Sequence, residues 1–272
     1  MDDIDRFLDE DLNDRGDITS DSLFSNEKAD AVIISKDPCI LAGMHEAALT
    51  FKRTGAKITP LISDGEEIQK STPVAEISGP VRSILIGERL ALNFLGRMSA
   101  IATTTRQLVD RCKHINPSIE IAATRKTTPG FRSYEKKAVQ IGGGVPHRFG
   151  LYDAIMIKDN HLKCVESVET AIRKVQTAVK NVVIEIEVER EKDALLAASL
   201  NVDVIMLDNL SPTQGASIAQ KIRKINPDVI IEVSGGITPE NIEDYASYAD
   251  RISLGYLTHT VHHKDFSLDI LR

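Results

Sequence analysis

The stretch Val182–Asp208, VVIEIEVEREKDALLAASLNVDVIMLD, decides the fold. It opens on a run rich in Val and Ile, passes through the helix-forming REKDALLAASL, and returns to a second apolar run, DVIMLD, that ends on an acid. Runs of this kind, apolar at nearly every position, suit strands buried on both faces, and two of them separated by one helix read as a parallel βαβ unit. The rhythm extends in both directions. IEIAAT (119–124), AIMIK (154–158), VIIEVSGG (229–236) and RISLG (251–255) are further strand candidates. VESVETAIRKVQTAVK (165–180), PTQGASIAQKIRKI (212–225) and TPENIEDYASYA (238–249) are the intervening helices. Closely spaced repeats of this unit favour a (β/α) barrel over an open doubly wound sheet.

The first hundred residues lack that rhythm. DAVIISKD (30–37) and TPVAEISGP (72–80) read as strands, and GMHEAALTFKRTG (43–55) as a helix closed by Gly55. Residues 81–114 hold helical spacing throughout, as one helix or as two joined near Gly96 to Ser99. After the last strand of the repeat, YLTHTVHHKDFSLDILR (256–272) contains no further βα unit and is expected to return to the N-terminal part. The expected organisation is an α/β protein with an N-terminal α/β sandwich domain over residues 1–103, joined by residues 254–272, and an incomplete (β/α) barrel over residues 104–253.

Charge and composition exclude several function classes. With 33 basic and 40 acidic residues, the net charge of −7 argues against a general nucleic-acid or membrane-surface binder. Aromatic residues make up 4% of the chain, too few for a base-stacking surface. No apolar run approaches the roughly 20 residues of a bilayer span, and the acidic N-terminus lacks a signal core. The cysteines Cys39, Cys112 and Cys164 are odd in number and far apart, which fits a reducing cytoplasm better than a disulfide framework. HTVHH near the end has weak metal-ligand spacing, and the Walker and GxGxxG patterns are absent.

In a barrel the active site lies at the C-terminal ends of the strands. Those ends carry Arg125 and Lys126, Lys158, Glu187, Asp208, and the turn Ser234 to Gly236. TRKTTPGFR (124–132) and EKKAVQIGGGVPHR (135–148) add Arg132, Lys136, Lys137 and Arg148. Arginine offers a planar fork of donors and lysine a compact charge, so the set suits a ligand with several anionic groups.

On these segments the chain resembles the quinolinate phosphoribosyltransferase family. The matching strings are GDITS, ERLALNFLGRMSAIAT, TRKTTPGFR, EKKAVQIGGGVPHRFGLYDAIMIKDNH, EIEVE, LDN, SGGI and GYLTHT, in order from residue 16 to 260. The resemblance implies phosphoribosyl transfer from phosphoribosyl pyrophosphate to quinolinate, with decarboxylation to nicotinate mononucleotide in NAD biosynthesis. It also implies Mg2+ as cofactor and a cytoplasmic homodimer or higher homo-oligomer whose active site lies at the dimer interface, with no nucleic-acid or membrane partner. Residue by residue, it assigns substrate binding to Arg89, which crosses into the neighbouring subunit's pocket, to Thr124, Arg125 and Lys126, and to His147, Arg148 and Lys158. Ser234, Gly235, Gly236 and Gly255 would hold phosphate. Glu187 and Asp208 would act on the substrate and hold the metal, and Lys126, Lys158, Glu187 and Asp208 would be catalytic. Ala100, Phe131 and Pro146 depart from the family's usual glycine, leucine and asparagine. A nicotinate phosphoribosyltransferase and a molybdenum-linked paralogue are the alternatives, and the crowded cations favour a dicarboxylate.

Overall fold

The computed structural model describes residues 3–271; Met1, Asp2 and Arg272, which the expected domain limits include, lie outside them. The chain divides into two compact units. The first holds the described residues up to Thr104, with Gln140–Gly142 and the chain from Val261 onward. Its elements are α1 (Asp3–Leu12), α2 (Ile18–Leu23), β1 (Lys28–Ser35), β2 (Cys39–Ile40), α3 (Met44–Thr54), β3 (Lys57–Pro60), β4 (Glu67–Ile68) and β5 (Pro73–Pro80). Helix α4 (Val81–Ile115) begins in this unit.

Strand β1 buries Ala31, Ile33 and Ser35, every second residue, so one face meets a core and the other does not. It lies between two antiparallel neighbours, β5 and the last strand of the chain, in a sheet whose order ends on β3. The core behind it is built from Ile33, Phe51, Val74, Ile77, Ile84 and Leu95. Gly55, at φ +93°, ends α3 in the left-handed conformation and returns its N–H to the Phe51 carbonyl, a closure that a side chain would strain.

The run from residue 81 forms one helix of 35 residues. Gly96 and Ser99 do not break it; they are where other backbone approaches. A Cβ at Gly96 would stand 2.8 Å from the Lys264 carbonyl oxygen. Ser99 Oγ accepts from the Ala42 N–H at 2.9 Å and donates to the Ala42 carbonyl at 3.1 Å.

The second unit comprises Thr105–Val139 and Gly143–Thr260. Its elements are β6 (Glu120–Ala122), α5 (Arg132–Ile141), β7 (Ile155–Ile157), α6 (Asp159–Leu162), α7 (Val168–Ala178), β8 (Ile184–Val188), α8 (Glu191–Ser199), β9 (Val204–Asp208), α9 (Pro212–Ile225), β10 (Ile230–Ser234), α10 (Glu243–Ala246), β11 (Arg251–Ser253) and α11 (Tyr256–His259). All six strands are parallel, in the order β6-β11-β10-β9-β8-β7. The terminal strands β6 and β7 share no ladder, so the (β/α) barrel is incomplete. Beside β6, the loop residue Val145 forms one parallel bridge to Ala122.

Two stretches differ from the sequence expectation. TPENIEDYASYA was expected to be helical throughout but forms only the short α10, because Asn241 organises a turn instead. Its side chain accepts from the Thr238 N–H at 2.8 Å and donates to the Gly236 carbonyl at 3.0 Å, a local alternative to helix that Asn readily supplies. Residues 254–260 group with the barrel unit rather than with the N-terminal one. The Leu254 N–H continues the ladder to Ala122 O at 3.2 Å, and Thr258 Oγ1 donates to Lys126 O at 2.7 Å. The chain then returns as β12 (Phe266–Leu271), antiparallel to β1. Among the described residues no helix is long and apolar enough to cross a membrane.

Candidate active site

Parallel register sets the site. Glu187, Met206, Glu232, Arg251 and Glu120 are successive neighbours across the sheet, and Asp208 pairs with Ser234 one step closer to the strand ends. Alternate side chains share a face. Thus Met156 and Lys158, Met206 and Asp208, and Glu232 and Ser234 all line one cavity of about 860 Å³, large enough for two small substrates. Its wall brings together Thr124, Arg125, Lys126, His147, Arg148, Lys158, Glu187, Asp208, Ser234, Gly235, Gly236 and Gly255. Arg89 is not in the wall; it is exposed on α4. Asn209, Thr238, Tyr256 and His259 also line the cavity; Asn209 lies in LDN and Tyr256 and His259 in GYLTHT, strings that carried the resemblance, whereas Thr238 lies just beyond SGGI.

One side of the cavity is cationic. Arg148 is held loosely, its guanidinium donating to Met156 Sδ at 3.1 Å and to the Ala154 carbonyl at 3.5 Å. Burial, and then the nearby Arg125 charge, push its pKa down, so these two cations share a site that an anion would relieve. Nε of Arg125 is buried without a hydrogen-bond partner, an orphaned donor of the kind a bound acceptor satisfies. The Thr124 hydroxyl accepts from the Lys126 N–H at 3.1 Å and fixes the turn after β6.

Two carboxylates stand at neighbouring strand ends. Lys158 Nζ contacts Glu187 Oε2 at 2.5 Å, and Asn209 Nδ2 donates to Asp208 Oδ2 at 2.6 Å. Burial and then the Glu187 charge push Asp208 up, while Lys158 and Lys126 oppose them. Two hard oxygen donors that repel each other beside a cavity fit a magnesium ion.

Part of the wall is a glycine turn, Ser234 to Gly236. Gly235, at φ +83°, lies so close to Asn209 that a Cβ would stand 2.7 Å from the Asn209 backbone nitrogen. The turn therefore requires glycine twice over, by conformation and by space. Helix α9 begins just beyond, with Ser211 and Gln214 forming a capping box and Pro212 in the first turn, and this fixes where the β9 loop ends.

His147 lines the cavity, but protein groups occupy both of its ring nitrogens. Nδ1 accepts from the Arg148 N–H at 2.8 Å, and Nε2 lies 3.3 Å from Glu185 and 3.2 Å from Glu232. Burial opposes charge on the ring, yet hydrogen bonds to the two glutamates and their charges outweigh it and raise its pKa to about 9. Burial also pushes Glu185 up, whereas the hydrogen bond and charge of His147, with help from Ser253 and Arg251, hold Glu232 down against burial. Arg251 bridges Glu232 at 3.2 Å and Glu120 at 2.8 Å. His147, Glu185 and Glu232 also have metal-ligand spacing, with ligand atoms within 4.8 Å of one another, and Arg251 pairs with Glu232 beside them.

Arg132 and Lys136, counted with the ligand-binding cations on sequence grounds, do not line the cavity. Arg132 donates to Thr127 Oγ1 and the Phe149 carbonyl, and Lys136 to the carbonyls of Pro146 and Arg148.

Family models match almost the entire chain. The quinolinate phosphoribosyl transferase N-terminal domain matches residues 17–99, and the corresponding C-terminal domain matches residues 101–269. The chain belongs to this family. It is 43% identical over 260 residues to a probable nicotinate-nucleotide pyrophosphorylase [carboxylating] of Archaeoglobus fulgidus, covering 94% of this chain and 99% of that protein. It is 40% identical to the probable enzyme of the same description from Bacillus subtilis, over 94% of this chain and 88% of the relative. The solved nicotinate-nucleotide pyrophosphorylase of Francisella tularensis superposes with a TM-score of 0.92 at 34% identity, covering 98% of this chain and 94% of that one. Family membership joins the domain matches to the cavity: the motif residues of the C-terminal domain form its wall.

Proposed function

We propose that the protein transfers phosphoribose from phosphoribosyl pyrophosphate to the ring nitrogen of quinolinate and releases carbon dioxide, giving nicotinate mononucleotide and pyrophosphate. One observation carries this reading: a single cavity combines a crowded Arg125, Arg148, Lys126 and Lys158 set with two opposed carboxylates and a glycine turn. The pyridine dicarboxylate occupies the cationic side, where charge-assisted forks from Arg125 and Arg148 orient the ring. The 5-phosphate of the donor rests on Ser234 to Gly236 and Gly255. As pyrophosphate leaves, positive charge develops at the ribose carbon, and Glu187 and Asp208 stabilise it. The same pair would hold Mg2+, which when bound supplies charge neutralisation for the departing pyrophosphate.

Once the ring nitrogen is alkylated, the pyridinium accepts the electron pair of the breaking carbon–carboxylate bond. Carbon dioxide leaves, and the ring carbon takes a proton from Lys126 or Lys158. The group-transfer step relies on positioning and electrostatics, with no covalent intermediate on the chain. A nicotinate-specific site would need fewer cations, since its substrate carries one carboxylate.

The functional protein in this reading is a cytoplasmic homodimer or larger assembly in which Arg89 enters the neighbouring subunit's cavity. Its exposure on α4 and its absence from the wall of its own cavity support that placement, and the three free cysteines suit a reducing compartment. Inactive Arg89→Ala and Lys126→Ala variants, mixed and allowed to exchange subunits, should regain up to about a quarter of wild-type activity, because hybrid dimers contain one intact site. A mixture that stays as inactive as its components, with hybrids shown to form, removes the shared site.

A further inference from the structure

Lys136 is fully buried on α5, and among the described residues no carboxylate pairs with it. Its ammonium donates instead to two carbonyls, Pro146 O and Arg148 O, the latter at 2.8 Å, and stands 5.2 Å from the centre of the Phe149 ring. A buried cation satisfied only by backbone is costly, so the place where it is spent is informative.

That place is the opening of the barrel. On the side of β6 away from β11, Val145 forms one bridge to Ala122: its N–H donates to Ile121 O at 2.9 Å and its carbonyl accepts from the Ala123 N–H at 3.0 Å. Pro146 has no N–H with which to extend it. The chain then turns sharply through His147 at φ +52°, an uncommon conformation for a residue other than glycine. Lys136 grips the carbonyl on each side of this turn, and Arg132 holds the next one, Phe149 O, at 2.8 Å. Both side chains carried by the turn, His147 and Arg148, line the cavity.

We propose that Lys136 is a positioning residue for the dicarboxylate: by clamping the Pro146 and Arg148 carbonyls it fixes the His147–Arg148 turn and thereby aims the Arg148 guanidinium beside Arg125. The inference rests on the reading of the cationic side as the dicarboxylate subsite. The electrical setting agrees with a strained clamp. Burial, and then the like charges of Arg132, Arg125 and Arg148, lower the Lys136 pKa to about 8, with Asp153 opposing.

The test uses Lys136→Met, which keeps volume and removes the donors. For the variant, KM for quinolinate should rise at least tenfold while KM for phosphoribosyl pyrophosphate stays within twofold. Calorimetry with phthalate, a dicarboxylate that cannot turn over, should show the same tenfold loss, and inorganic pyrophosphate should bind as before. Equal losses for both ligands would mean a general structural role, and no loss for phthalate would mean no role; either overturns the inference. If circular dichroism shows that the methionine variant is not folded, Lys136→Gln carries the test, since its amide can keep one carbonyl bond. It should give a smaller phthalate loss, and full affinity in that variant likewise overturns the clamp. The phthalate measurement does not depend on turnover. An unaltered protein that binds phthalate but releases no carbon dioxide from quinolinate would refute the proposed reaction and leave the clamp to be judged by the variants. Failure of the unaltered protein to bind phthalate refutes the clamp itself.

Discussion

Glu187→Gln combined with Asp208→Asn should lower kcat for phosphoribosyl transfer by about 10³-fold or more, in the range seen when preorganised electrostatic stabilisation is removed. Both changes keep shape while deleting charge and replacing one acceptor oxygen with a donor. The transition state develops positive charge at the ribose carbon, and these are the carboxylates that stand at adjacent strand ends facing the cavity. Phthalate should bind the double variant at least as well as the wild type, because Lys158 is released from its 2.5 Å pairing with Glu187 and adds to the cationic side. Steady-state kinetics and calorimetry on the same preparation separate the two effects. Unchanged turnover would remove the carboxylates from the chemistry.

Arg148→Met should act in the opposite way, raising KM for quinolinate about 10- to 100-fold with a smaller change in kcat. A hydrogen bond to a charged group contributes about 1.5–3 kcal/mol, and each 1.4 kcal/mol is tenfold in affinity. Its protein contacts, a thioether sulfur and a 3.5 Å carbonyl, are weak ones to give up, so the fork is available to substrate. Arg148→Lys should recover little of the loss, since an ammonium cannot reproduce two parallel donors. A KM within twofold of wild type in both variants would place the dicarboxylate elsewhere.

Much of this architecture was legible because local and global signals agree. Helix α9 announces itself by Ser211, Pro212 and Gln214, and the strands of the second unit by runs buried on both faces. The strand-end residues Lys158, Glu187, Asp208 and Ser234 follow directly from that pattern, because a parallel barrel gathers strand ends. Helix breaks were harder to judge. Gly96 and Ser99 resemble a break in sequence but serve a close approach to Lys264 and a bond to Ala42, and both partners are distant along the chain.

The buried charges were the least legible part. Glu185 and Glu232 sit within apolar strands, and only the register shows that His147 and Arg251 meet them. Residue type alone likewise could not separate Arg148, which faces the cavity, from Lys136, which holds backbone. Both are cations within one basic stretch; Arg148 is carried by the His147 turn, whereas Lys136 reaches that turn's carbonyls from α5.

The reaction itself is tested most directly by incubating the protein with quinolinate labelled in the carboxylate beside the ring nitrogen, together with phosphoribosyl pyrophosphate and magnesium. Labelled carbon dioxide and nicotinate mononucleotide in equal amounts are the expected result. Nucleotide formed from nicotinate, with no labelled carbon dioxide released from quinolinate, would contradict it.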